Sequence, residues 1–361
     1  MKMIVRRTVL AVCTLVLALI LPTAASAACT GFDDVPESAD CYESVMYLAE
    51  REIAAGTGND CFSPEQLITV EQWAVMLCRA YGVETIGDSW QDVGRSSVVE
   101  AYRQGWLNET ALSAPRSPMC RSVLVESAFA AADVPVYDST LYEGGASLST
   151  ADNILRVGRE LRLCSDDTDT NALVTRGDAA IILHVVLTQS FRIEEPPVPV
   201  TLVNAAGVNV NDFLLELRKL PEQVLDAFNA AGWTYRIDFD YISELSKQLN
   251  MSCIGATSYS QKTIYISEAS ATLHEFGHFL DWMLGFPAEH EQLFRAEAAA
   301  APLRNYAKTN AREYFADCFA YCIIHGNDSE MMKSLRKNAP QTCTYFEELG
   351  KGSWSRSIRS K

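Results

Sequence analysis

The stretch ATLHEFGHFLDWML, residues 271–284, places His274 and His278 four positions apart with Glu275 between them. On a helix, residues at i and i+4 lie one above the other on the same face, so both imidazoles can reach one metal ion. This H-E-x-x-H arrangement is that of a zinc hydrolase, with the glutamate as general base. Such a turn needs a third ligand, a group to stabilise an oxyanion and a path for substrate, and the rest of the chain is read for them.

Downstream, Gly285 and Pro287 break the helix, and further helices are expected at about 289–303, 309–325 and 329–337. Asp281 and Leu284 stand where a metzincin would carry its glycine and third histidine, which excludes that class. In Asn310-Ala-Arg-Glu-Tyr-Phe-Ala-Asp317, Glu313 and Asp317 share one helix face. The segment is otherwise largely apolar, so two acids on one face call for a cation. Glu-x-x-x-Asp after H-E-x-x-H is the gluzincin pattern, in which the glutamate ligates zinc and the aspartate orients a ligand histidine through its other ring nitrogen. One catalytic zinc on His274, His278 and Glu313 is expected, with Asp317 behind it. His184, His290 and His325 read as ordinary histidines, and Asp281 as either an outer acid or a surface residue.

Upstream, Lys262–Ser267 is a short β-branched strand that would offer an edge to an extended peptide. Ser252–Ser260 reads as polar and turn-rich, and Trp233–Phe239 alternates as a half-buried strand. Asn211–Gly232 reads as helices, with Pro221 suited to a first turn and Gly232 to an end. These elements make an α+β catalytic domain over 203–361. Before it, FRIEEPPVPVT (191–201) forces extended backbone, so 191–202 is expected to be a semi-rigid proline-rich linker.

Residues 29–190 repeat. Phe32-Asp-Asp-Val35, a turn with Gly56 and Gly58, Phe62-Ser-Pro64 and Ile68-Thr-Val-Glu-Gln72 recur as Trp90-Gln-Asp-Val93 with a helix opening near Cys120-Arg121, and as a third cycle carrying Leu173-Val-Thr-Arg-Gly-Asp178. Two-helix units that cannot bury their faces alone stack into one body. These motifs resemble the S-layer homology repeat. The resemblance implies an all-α domain that binds anionic secondary polymers of the bacterial cell wall, with the arginine of its I-T-R-x-E motif as a contact. That arginine stands as Arg121 in the second copy and Arg176 in the third, while the first has Val70.

His274-Glu-Phe-Gly-His278 followed by Tyr306-Ala-Lys-Thr-Asn-Ala-Arg-Glu313-Tyr-Phe-Ala-Asp317 resembles the anthrax lethal factor catalytic domain and the secreted Pro-Pro endopeptidases. The resemblance implies a zincin-like fold, peptide-bond hydrolysis, proline-rich substrates and a tyrosine seven residues before the glutamate ligand that faces the zinc. Tyr306 stands at that spacing, which makes Glu275 and Tyr306 the catalytic pair.

Residues 1–28 read as a secretory signal peptide: Lys2, Arg6 and Arg7, the apolar run Val9–Leu21, and Ala25-Ser-Ala27 as the cleavage site. Ser26 argues against lipidation of Cys29, and no membrane span is expected. Loss of those three cations moves the formal charge from −16 to −19, which excludes nucleic acid and anionic membranes as natural partners. Ten of the eleven cysteines remain in an exported chain, so disulfides are plausible, whereas Cys318 and Cys322 are too far apart on one helix to pair with each other. The expectation is a secreted, wall-associated zinc metalloendopeptidase acting on a protein or peptide, with proline-rich chains favoured. The alternative is a surface adhesion or binding protein with a non-catalytic zincin module.

Overall fold

The computed structural model describes residues 31–165 and 169–355; the signal segment and Cys29 lie outside the described residues. The first half is helical, with α1 Tyr42–Glu50, α2 Val70–Ala80, α3 Trp90–Arg103, α4 Glu109–Ser113, α5 Arg121–Ala131, α6 Thr150–Glu160 and α7 Arg176–Thr188. The three repeat copies meet in a closed ring of backbone hydrogen bonds: Ile68 N–H donates to Val174, Val174 to Met119 and Met119 to Ile68, at 2.9, 3.0 and 2.9 Å. Their side chains are buried. The ring puts Ile68, Met119 and Val174 in register, and therefore Val70, Arg121 and Arg176 as well. Helix starts follow from the sequence: Thr69 accepts from Gln72 N–H in a capping box, and Thr175 accepts from Asp178 N–H. Trp73, Leu124 and Phe129 fill the common core, where Trp73 donates its indole N–H to Ser127 at 2.7 Å.

The second half contains β1 Leu202–Asn204, α8 Asn211–Leu217, α9 Glu222–Ala230, β2 Thr234–Ile237, α10 Phe239–Leu249, β3 Gly255–Ser258, β4 Thr263–Ile266, α11 Thr272–Met283, α12 Ala288–Glu297, α13 Ala311–His325, α14 Ser329–Asn338 and α15 Pro340–Lys351. The strands form one sheet in the order β1-β2-β4-β3, parallel except for β3, which runs antiparallel to β4. This corrects two expectations. The edge strands are β1 and β3, of which β3, in the stretch that composition marks as turns, packs on α11, and β4 is an inner strand. The reason is burial: all four β4 residues are buried, as a strand paired on both sides requires, while the small β3 residues are half-buried. Helices α10 and α15 are also additions to the sequence reading. In α10 the apolar residues Phe239, Ile242, Leu245 and Leu249 do recur at helical spacing, but only Ile242 is buried.

The proline segment is a fastened strap, not a free spacer. Pro196 and Val200 are buried, Tyr142 donates its hydroxyl to the Glu194 carbonyl at 2.6 Å, and Asn229 donates to the Pro199 carbonyl at 2.9 Å. Tyr137 and Leu141, from the third repeat, are buried in the core of the second half, and Asp138 N–H donates to Asn211 at 2.6 Å. All nine described cysteines are free, so no disulfide forms among the described residues. Cys41, Cys78, Cys318 and Cys343 are buried and act as small apolar packing groups. No described helix is long and apolar enough to cross a membrane.

Candidate metal centre

Helix α11 packs its motif face against the first turns of α13, and the contact depends on a missing side chain. A Cβ on Gly277 would lie 2.5 Å from Cα and 2.8 Å from the carbonyl oxygen of Ala316, so only glycine lets the two backbones approach this closely. Asn310 caps α13 by accepting from Glu313 N–H at 3.1 Å, which places Glu313 at the start of that helix and opposite the histidines.

The three expected ligands then converge. His274 Nε2 and His278 Nε2 are 3.1 Å apart, and Glu313 Oε2 lies 3.1 and 3.3 Å from them. With bonds of 2.0–2.1 Å, neighbouring ligands of a tetrahedral zinc are about 3.3 Å apart, so this triangle fits one face of such an ion. Among the described residues it is the group of His, Cys, Asp and Glu atoms close enough to share a metal. The electrostatics agree. The neighbouring imidazoles outweigh burial and hold the Glu313 carboxyl far below its usual range. Burial opposes protonation of His274, but hydrogen bonds to Asp317 and Glu313 push its pKa up to about 9. The carboxylates around His274 thus favour a positive charge at this point, carried by a proton on the imidazole, whose place a metal ion would take.

Asp317 lies behind His274: its Oδ1 accepts from His274 Nδ1–H, which turns Nε2 toward Glu313 and His278. A residue that sequence reasoning missed completes the arrangement. Arg304 forks onto Asp317, with Nη2 donating to Oδ1 at 2.7 Å and Nε to Oδ2 at 2.6 Å. Against the cost of burial, His274 and Arg304 together keep the Asp317 carboxyl below its ordinary pKa. His278 has no comparable support, and its Nδ1 is buried without a partner. Asp281, one turn further along α11, is buried but turns away to accept from His290 Nδ1 at 2.7 Å, and His290 in turn bonds the Tyr345 hydroxyl at 2.7 Å. His290, read as an ordinary histidine, and Asp281, read as either an outer acid or a surface residue, are thus a buried pair that ties α11 to α12 and α15.

Glu275 is 5 % exposed, and its carboxylate accepts from the Thr257 hydroxyl at 2.7 Å. Gly255 makes room for it, since a Cβ there would lie 2.7 Å from Oε1. Neither residue carries a signal in the sequence, because both act from strand β3 on helix α11, about twenty residues further along the chain. Tyr306 sits in a 3₁₀ turn, 43 % exposed, with its ring 6.2 Å from that of His274. It lines a cleft that runs past His274 and Glu275 on both sides.

Residues 216–349 match the family model for anthrax toxin lethal factor, N- and C-terminal domain, and residues 31–72 match that for the S-layer homology domain. The second half holds a lethal factor-like domain. An S-layer homology domain precedes it, which associates the protein with the cell surface. A comparison with curated proteins returns no match. The metal triangle, Glu275 and Tyr306 all fall inside the lethal factor-like segment.

In the repeats the two arginines are already engaged. Arg121 pairs with Asp178 at 2.8 Å. Arg176 is 5 % exposed, donates to the carbonyls of Phe62 and Ala55 at 2.9 and 3.0 Å, and lies over the Phe62 ring. Its guanidinium closes the inner end of a cleft lined by Gln72, Arg79 and Trp90.

Proposed function

We propose that the protein is a wall-associated zinc metalloendopeptidase of the gluzincin type, cutting proline-rich peptides at Pro-Pro bonds. The observation that carries the reading is the His274, His278 and Glu313 triangle with Glu275 fixed beside it. Zinc bound there would polarise the scissile carbonyl and acidify a water. Glu275, anchored by Thr257, takes the proton from the attacking water and passes it to the leaving nitrogen. Burial and the charges of Glu313 and Glu275 push the Tyr306 phenol up to about 12, so it stays protonated at neutral pH. It can therefore donate to the developing oxyanion. The free edge of β3, beside Glu275, supports an extended substrate added as a further strand.

The S-layer homology half would hold the enzyme to an anionic wall polymer, outside the cell. The cleft closed by Arg176 and lined by Arg79 supports this better than Arg121, whose charge Asp178 already meets. Pro196 is buried in the strap, so cleavage of the chain's own Pro196-Pro197 bond would require the strap to detach first. Hydrolysis of a Pro-Pro peptide library by the wild type and Glu275→Ala tests the reading. Turnover by the wild type alone is expected. Equal rates remove Glu275 from the mechanism, and no turnover by either favours a binding module.

A further inference from the structure

The cleft over the His274, His278 and Glu313 triangle has two ends, and they differ in how their arginines are engaged. Toward the start of β3 it is walled by Ala271, Leu273 and Ile324, with Arg304 at the rim. Toward the end of β3 it is walled by Leu245, Leu249, Tyr259, Glu291 and Arg312. Arg304 is committed to Asp317, and Arg295, on the neighbouring helix, is committed to Glu291 at 2.7 Å. Arg312 makes no ion pair among the described residues. It is exposed and lies over two rings, 4.4 Å from the centre of Phe286 and 5.6 Å from that of Tyr259. Those rings hold the guanidinium plane at the pocket wall and leave its edge for an acceptor.

Direction along the cleft follows from the sheet. β3 runs from Gly255 to Ser258, and a peptide pairing antiparallel on its free edge runs the opposite way. Substrate residues N-terminal to the scissile bond then pass the Thr257 and Tyr259 end, where Arg312 stands. The protein's formal charge of −16 repels acidic peptides in general, and at this end of the cleft Arg312 is a cation without an ion pair among the described residues. The chain's own proline segment has the matching order, with Glu194 and Glu195 directly before Pro196-Pro197.

We propose that Arg312 receives a carboxylate on the N-terminal side of the scissile bond, so that the preferred substrates are proline-rich peptides with an acidic residue before the prolines. This rests on the peptidase reading above. Three peptides differing only in Glu-Glu, Gln-Gln or Lys-Lys before Pro-Pro-Val-Pro would be given to the zinc-loaded full chain and to Arg312→Glu and Arg312→Lys. A charge-assisted, forked contact should favour Glu-Glu over Gln-Gln by about tenfold in kcat/KM. Arg312→Lys should retain part of that preference, and Arg312→Glu should turn it toward Lys-Lys. Equal rates on Glu-Glu and Gln-Gln, or a Glu-Glu preference surviving in Arg312→Glu, overturns the inference and leaves the peptidase reading standing. Cleavage of none of the three counts against the peptidase reading. Fluorescence anisotropy with the same labelled peptides then still decides Arg312, which is overturned if Glu-Glu binds no more tightly than Gln-Gln.

Discussion

The two histidines of one helical turn are supported very differently. His274 rests on Asp317, and Asp317 on the fork of Arg304, a chain that begins at a ligand and ends at an arginine 54 % exposed at the cleft. Among the described residues His278 has no side-chain partner at Nδ1, and the next acid further along the helix, Asp281, is spent on His290. One buried acid therefore backs the candidate metal centre and the other serves the packing of α11. Equal spacing along a helix does not confer equal roles, because what lies across from each turn differs.

Substitutions can break or sharpen that contrast. The largest effect is expected at the ligand shared by both sides: Glu313→Ala should lower zinc affinity by more than about 100-fold, beyond the range of residues outside the ligand set. Competition with a chromogenic chelator measures it, and retention of tight zinc would remove Glu313 from the site. Asp317→Asn should cost about 10- to 100-fold in zinc affinity, because the amide cannot hold His274 in the same way. Arg304→Gln acts one step further out and should cost about tenfold or less on the same scale. A larger loss than for Asp317→Asn would mean that Arg304 does more than position the carboxylate. The smallest effect on zinc is expected for Asp281→Asn. It should leave zinc affinity unchanged while lowering stability by about 1–3 kcal/mol through the buried His290 contact, as read by denaturant unfolding. If Asp281→Asn loosens zinc as much as Asp317→Asn does, the two sides are alike after all.

The repeats and the metal site were legible to different depths. In the repeats each motif recurs, so Ile68, Met119 and Val174 could be aligned by sequence and the structure closes them into a ring. In the second half the candidate ligands were legible as a group because helical spacing is local: four residues separate His274 from His278, and four separate Glu313 from Asp317. What escaped were the partners from elsewhere. Arg304 precedes Asp317 by thirteen residues with a turn between, and Thr257 and Gly255 reach Glu275 across a strand whose polar composition hides it. The even cysteine count suggested bridges, yet the described cysteines are dispersed as packing groups.

From the sequence alone, then, came the identity of the groups that can bind a metal and move a proton, since side-chain chemistry and helix periodicity are properties of short stretches. Tertiary structure decided which strand is the edge, which acid stands behind a ligand, how the proline segment is fastened and where the uncommitted charge of Arg312 lies. Each of these depends on burial and on contacts between residues far apart in the chain. Gly277 joins the two levels: it lies inside the H-E-x-x-H turn, but its need for glycine appears only where α13 crosses it.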